Sequence, residues 1–292
     1  MSRPPRVIDG SLLAELPLPE HGREASKADR GKLLIVAGST SLPGAAILAA
    51  RAALRVGCGT VRVAAPRSVA VAIGVALPEL MVLPLPETAA GTLAEAAFSH
   101  LEAQREACDA AVIGPGLGSH EETDRLTTRF VAGSPLPTVV DAGALLAWGR
   151  AGRPPAPGPR VLTPHAGEMS RLIGREPDEV EDDREAIAAR FAREWDSVLV
   201  LKGPRTLVAG RGLYLNTAGT PGLATAGSGD VLAGVIGGLL ARGSDPTASA
   251  VWGVHIHALA GEFAAEQQGD DGMIASDIVA RLPAATRALR RE

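Results

Sequence analysis

Residues 216–234 read NTAGTPGLATAGSGDVLAG, with glycines at 219, 222, 227 and 229 ahead of one carboxylate, Asp230. Beyond it, Val231, Leu232, Val235, Ile236, Leu239 and Leu240 fall on one face at helical spacing, and Gly243 supplies a stop. The pattern predicts a helix beginning between Ser228 and Asp230. The first N–H groups of a helix lack internal partners, and its amino end carries the positive end of the macrodipole. Here those groups would open into a glycine loop whose backbone a phosphate can approach closely. Asp230 would stand beside that phosphate as a cap, a metal ligand or a base. A base at this place would accept the proton of a hydroxyl attacking phosphorus.

Other residues offer further chemistry. Lys202 follows the apolar run VLVL and begins LKGPRT, residues 201–206; a point charge on a flexible stem suits nucleotide phosphates, and a solvated strand-end lysine is the plainer reading. GPGLG at 114–118 is a tight turn after a strand or a close approach to a ligand. It has neither the GxGxxG nor the GxxxxGK[ST] spacing, so no dinucleotide fingerprint or Walker loop is present. TPHAGE at 163–168 puts His165 and Glu168 at a strand-to-helix junction. There Glu168 suits a capping arrangement, and His165 is a ligand contact or a loop residue. His255 and His257 lie two apart in an apolar helical stretch, facing different sides, and read as satisfied histidines before metal ligands. No dedicated metal cage is expected.

The elements that must position these groups are legible. Short apolar runs (KLLIV, GTVRVAAP, LMVLPLP, DAAVIG, PTVVD, RVLTP and VLVL) alternate with Ala- and Leu-rich helical stretches. Alternation predicts an α/β fold: a mostly parallel sheet with helices on both faces, its strands buried on both sides. Ligands in such sheets bind beyond the carboxyl ends of the strands. Gly38, residues 114–118, Asp141, residues 163–168 and Lys202 all fall at such ends, so five of them can converge on one crevice. TLVAG after Lys202 reads as a hairpin partner. GRAGRPPAPGPR at 149–160 reads as a surface connection.

Composition excludes some classes. The 292 residues are 46 % hydrophobic and 21 % charged, with 3 % aromatics, so the core must rest on Val, Leu, Ile and Ala. A net charge of −4 argues against broad phosphate-backbone binding to nucleic acid and leaves room for a local basic site. Cys58 and Cys108 have no zinc spacing and read as buried thiols in a reducing, cytoplasmic setting. No signal peptide or bilayer-spanning run is expected.

Taken in order, KLLIVAGS, PGAAILAARAALRVGCG, GPGLG, DAGAL, LTPHAGEM, LKGPRT and NTAGTPGLATAGSGDVLAG closely resemble the ADP/ATP-dependent NAD(P)H-hydrate dehydratases of the ribokinase-like superfamily. The resemblance covers roughly residues 26–285, and implies one domain at 26–290 after an N-terminal extension at 1–25, folded as a three-layer sandwich. It implies repair of hydrated NADH or NADPH: the C6 hydroxyl is phosphorylated, phosphate is eliminated, and the dihydropyridine returns. Bacterial members generally use ADP and yield AMP; eukaryotic ones generally use ATP. By this resemblance Asp230 is the base, and residues Gly227, Ser228 and Gly229 hold the developing phosphoryl charge. Lys202, Gly203, Pro204, Arg205, Thr206 and Gly229 contact the adenine nucleotide, with Mg²⁺ bridging its phosphates. Ala45, Gly116, His165 and Asn216, together with Asp230, contact the hydrated cofactor. A homotetramer is also implied, as is a separate epimerase acting in the same pathway, since only some 25 residues precede the resemblance. The chain departs from common members at Gly143, Leu77 and SLPGA, none within the GSGD element. A small-molecule kinase of the same superfamily, acting on a hydroxyethylthiazole or hydroxymethylpyrimidine, would share the Asp230 chemistry. A nucleotide-binding regulator would need no base.

Overall fold

The computed structural model describes residues 4–290 except His21 and Arg23. Ten strands build one sheet: β1 (Arg6–Val7), β2 (Lys32–Val36), β3 (Thr60–Pro66), β4 (Met81–Leu85), β5 (Ala110–Ile113), β6 (Thr138–Val140), β7 (Arg160–Leu162), β8 (Val198–Leu201), β9 (Leu207–Ala209) and β10 (Leu213–Leu215). Their order is β1-β10-β9-β8-β7-β6-β5-β2-β3-β4. The run from β8 to β4 is parallel, and β9 pairs antiparallel to both β8 and β10. The expected hairpin is therefore β8–β9, and residues 202–206 are its loop. Residues of the N-terminal extension join the sheet. β1 pairs with β10, and Ile8, Leu12, Leu13 and Leu18 are buried in the core.

Alternation along the strands makes the sandwich. Leu33, Ile35, Val112, Val139, Val161, Val198 and Val200 face one core, and their neighbours Leu34, Val36, Ile113, Val140, Leu162, Leu199 and Leu201 face the other. Side chains of a strand point to opposite faces in turn, so both faces must be apolar when both are covered. Each buried Leu, Ile or Val contributes about 1.5–3 kcal/mol. Trp148, Phe130, Phe191 and Trp195 fill one face, while the other rests mainly on alanine and branched aliphatics, with Tyr214 and Trp252 among them.

One expectation changes. The helix Ser228–Ala241 has no polar face: Ala233, Gly234, Gly237 and Gly238 are buried along with the predicted apolar stripe. It lies between the sheet and the helix Pro43–Arg55, so it is apolar all round. A side chain at Gly234 would stand 2.1 Å from the Ala49 carbonyl oxygen, and one at Gly237 2.2 Å from Val112. Those glycines set how closely this helix packs, and hence where its amino end lies.

β5 and β2 are adjacent, but the chain runs outward from them in opposite directions, through β6–β8 on one side and β3–β4 on the other. This is the switch point at which open α/β sheets leave a crevice. The two sides meet there through Gly38 N–H, which donates to Pro115 O at 2.8 Å. Among the described residues no helix is long and apolar enough to cross a membrane.

Candidate active site

The carboxyl ends of β5 to β8 face the amino end of the helix Ser228–Ala241. Gly227 is its N-cap at φ +87°, a backbone shape that favours glycine, and a Cβ there would lie 2.5 Å from Leu48. The N–H groups of Gly227, Gly229 and Asp230 meet no acceptor among the described residues. Ser228 differs: its N–H donates to Thr225 O at 3.3 Å, and its hydroxyl lies 3.2 Å from His257 Nε2. Of the three residues expected to hold a phosphoryl group through backbone N–H groups, Gly227 and Gly229 keep theirs free and Ser228 does not. Asp230 supplies a third free donor.

The Asp230 carboxylate makes no hydrogen bond or ion pair among the described residues, so it is not a cap. Burial, and then the charge of Asp141, raise its pKa from 3.8 to about 6, against the opposing pull of Lys202. A carboxylate poised there is ionised at neutral pH yet still basic enough to take a proton.

Lys202 is not a solvated strand-end lysine. Its Nζ lies 3.0 Å from Asp141 Oδ1 and 3.7 Å from Glu168 Oε2. A Cβ built on Gly229 would be 3.4 Å from the same Nζ, so the ammonium stands in front of the helix amino end. Burial pulls the Lys202 pKa down, but Asp141, Glu168 and Asp230 together hold it above the ordinary lysine value. Asp141 occupies the N-cap position of the helix Ala142–Arg150 without capping it. Its Oδ1 instead accepts from Lys202 and from the Thr163 hydroxyl, at 2.7 Å. The next residue, Ala142, sits at φ +47°, a left-handed conformation costing about 1–2 kcal/mol outside glycine.

β7 and β8 bring the neighbouring candidates together. Lys202 N–H donates to Pro164 O at 2.8 Å, which sets His165 beside Lys202. His165 Nδ1 caps the helix Ala166–Ile173 by accepting from Gly167 and Glu168 N–H, while Glu168 accepts from His165 N–H. The expected capping role of Glu168 is thus present, and the His165 ring remains exposed at the crevice edge. In the hairpin loop, Thr206 Oγ donates to Gly203 O at 2.9 Å; Gly203, Pro204 and Arg205 are exposed. Asn216 N–H donates to Thr206 O at 2.9 Å. At the switch point, a Cβ on Gly116 (φ +64°) would lie 2.7 Å from the Ala45 methyl, so these two are neighbours.

Arg184, Glu262 and Asp270, which the sequence did not single out, hold this arrangement together with the two expected satisfied histidines, His255 and His257. Arg184 donates to Leu201 O and Lys202 O at 2.8 and 3.2 Å. His257 lies 3.1 Å from Ser228 O through Nε2, and burial pushes its pKa down to about 4, so it is neutral. His255 Nδ1 lies 2.8 Å from Asn216 Oδ1, and Asn216 also donates to Ala218 O. Glu262 and Asp270 accept from the N–H groups of Gly219 and Gly222, so one long helix and its end fasten the whole glycine loop. The cysteine thiols are buried, and burial pushes Cys58 up to about 12. Among the described residues no group of three or more His, Cys, Asp or Glu is placed to hold a metal ion.

Residues 33–284 match the family model described as NAD(P)H-hydrate dehydratase. An ADP-dependent (S)-NAD(P)H-hydrate dehydratase of Xanthomonas campestris pv. campestris is 42 % identical over 280 residues, covering 95 % of each chain. A bifunctional NAD(P)H-hydrate repair enzyme of Moorella thermoacetica is 43 % identical over 94 % of this chain, which spans 53 % of that longer relative. The crystal structure of an ADP/ATP-dependent NAD(P)H-hydrate dehydratase from Bacillus subtilis, co-crystallised with ATP and Mg²⁺, superimposes with a TM-score of 0.83 at 28 % identity, over 97 % of this chain and 98 % of that one. The switch-point crevice, the open helix end and these matches agree: the chain belongs to the NAD(P)H-hydrate dehydratase family, on the ribokinase-like fold.

Proposed function

We propose that the protein is an ADP-dependent NAD(P)H-hydrate dehydratase that restores NADH and NADPH from their C6-hydrated forms. The observation that carries the mechanism is Asp230, with a pKa of about 6, beside three free N–H groups and Lys202 at one helix end. Asp230 takes the proton of the C6 hydroxyl as its oxygen attacks the terminal phosphorus of ADP, and AMP leaves. The N–H groups of Gly227, Gly229 and Asp230 stabilise the charge on the phosphoryl oxygens. Hydroxide is a poor leaving group and phosphate a good one. The ring nitrogen's lone pair then expels phosphate from C6, and C5 gives up a proton to restore the dihydropyridine.

Lys202 and the hairpin loop Gly203, Pro204, Arg205 and Thr206 take the nucleotide, and Ala45, Gly116 and His165 line the place of the hydrated ring. Asn216 acts from the loop between them, its amide held by Ala218 and His255. Asp141, Glu168 and Asp230 outnumber Lys202, so a polyphosphate entering alone meets net negative charge. Mg²⁺ suits this setting: Asp141 and Asp230 offer the hard oxygens it prefers, and when bound it would neutralise phosphate charge. A cytoplasmic homotetramer, working beside an epimerase that interconverts the two hydrate epimers, completes the reading. A superfamily kinase of the thiazole or pyrimidine type would stop at a stable phosphate ester. The test is hydrated NADH with ADP or ATP and Mg²⁺: regenerated NADH absorbance supports the dehydratase, and its absence with both nucleotides sinks it.

A further inference from the structure

The amino ends of the strands carry a second concentration of charge, at the opposite pole from Asp230. Arg30, Arg55, Arg242, Arg287 and Arg290 line one cleft of about 460 Å³, together with Val56, Gly57, Pro283 and Thr286. No aspartate or glutamate lines it among the described residues. The chain as a whole has 33 acidic residues against 29 Lys and Arg, so a lining of five arginines departs from its general balance.

Three helices end here: Pro43–Arg55, Ser228–Ala241 with Arg242 as C-cap, and Ala275–Leu289 with Arg290 as C-cap. Arginines at helix carboxyl ends complement the dipole, and that is the simplest reason for any one of them. The magnitudes do not close on that reason alone. Each helix end presents roughly half a negative charge, about −1.5 in all, against five full positive charges. Arg242 is the buried floor of the cleft and donates to Val56 O at 2.8 Å and Pro19 O at 3.3 Å. Burial, with the charges of Arg290 and Arg30, lowers its pKa. The side chains of Arg30, Arg55, Arg287 and Arg290 make no hydrogen bond or ion pair among the described residues.

We infer that this cleft is a second anion site, for a small molecule carrying two or more linked phosphates. Guanidinium groups converge on such a ligand from several sides, each offering paired donors to phosphate oxygens. A single phosphate would satisfy too few of the four exposed arginines, Arg30, Arg55, Arg287 and Arg290. The 14-residue helix Ser228–Ala241 joins the two poles, so the sites stand about 20 Å apart. A ligand here is thus separate from the nucleotide at Asp230.

Calorimetric titration with inorganic tripolyphosphate at constant ionic strength tests the site. The probes are the full chain, Gly229→Val, which obstructs only the catalytic crevice, and Arg55→Glu/Arg287→Glu, which reverses two exposed charges at the cleft. Saturable binding is expected in the wild-type protein and in Gly229→Val, with orthophosphate at least about tenfold weaker. The double variant should lose tenfold or more in tripolyphosphate affinity while keeping basal turnover and losing at most a few degrees of melting temperature to the reversed helix-end charges. The gentler Arg55→Gln/Arg287→Gln should fall between. Tripolyphosphate binding that is unchanged in both double variants, or that disappears in Gly229→Val, overturns the proposal, as does an absence of binding to the wild-type protein.

Discussion

Lys202 Nζ lies 3.0 Å from Asp141 Oδ1, and this contact ties the end of β8 to the end of β6 across β7. It holds one ammonium among three carboxylates and in front of the helix that carries Asp230. Removing it strands those carboxylates. Lys202→Met is expected to cost about 3–5 kcal/mol, the range for breaking a buried pair by deleting one partner. Lys202 also opposes the upward shift of Asp230, so the acid limb of the rate profile should move to higher pH. Urea unfolding and a kcat/KM profile measure the two effects; an unmoved limb would separate Lys202 from the base.

Asp230→Asn should lower kcat by about 10²–10⁴-fold, the usual contribution of a positioned general base, while nucleotide binding persists. The same change should stabilise the fold. The folded pKa of Asp230 is raised from 3.8 to about 6, so its ionisation opposes folding. That cost is absent below pH 3.8 and complete above about 6. The variant should therefore gain roughly 1–3 kcal/mol above neutrality and little at pH 4. Melting temperatures of both proteins at pH 4 and pH 8 check the sign.

His257 works in the opposite direction. Burial holds its folded pKa at about 4, below the ordinary 6.5, so the unfolded chain binds the proton first. Stability from this group is full above 6.5 and is lost as pH falls toward 4, on the order of 3 kcal/mol for a buried histidine. His257→Gln, which can still donate to Ser228 O, should flatten the fall in melting temperature across that window. An equally steep fall would exclude His257 as its source.

Gly116→Ala should be costly because the residue sits at φ +64° and a Cβ would lie 2.7 Å from both the Ala45 methyl and Leu42 O. Left-handed backbone strain and overpacking together give about 2–4 kcal/mol. KM for the hydrated cofactor should rise more than KM for the nucleotide, because Gly116 and Ala45 meet at the switch point, apart from the hairpin loop. Equal rises would place the ring elsewhere.

The fold and the open amino end of the helix Ser228–Ala241 were legible in the sequence because each rests on local pattern. Apolar runs alternating with helical stretches give a parallel sheet, and glycines ahead of Val231 mark an open helix end. The partners of Lys202 were not legible. Asp141 and Glu168 lie 61 and 34 positions away and meet Lys202 only because β6, β7 and β8 are neighbours in the sheet. Ser228 looked like another N–H donor, but its N–H is engaged in a local turn to Thr225 O that Gly, Ala and Thr residues do not announce. His255 and His257 were read as satisfied histidines; what they satisfy, Asn216 and Ser228, depends on how the long helix crosses the glycine loop. The helix Ser228–Ala241 looked amphipathic because small residues on its other face do not announce burial, and glycine and alanine are what close helix packing demands.

In the proposed reaction one carboxylate, Asp230, drives phosphorylation of the C6 hydroxyl on the way to the restored cofactor. The direct measurement gives hydrated NADH, ADP and Mg²⁺ to the wild-type protein and to Asp230→Asn, and follows NADH absorbance and AMP together. Equimolar NADH and AMP are expected from the wild-type protein, with at least about 10²-fold slower formation of both from the variant. NADH formed at near wild-type rate by Asp230→Asn would exclude Asp230 as the base, and AMP formed without NADH by the wild-type protein would exclude the dehydratase reaction.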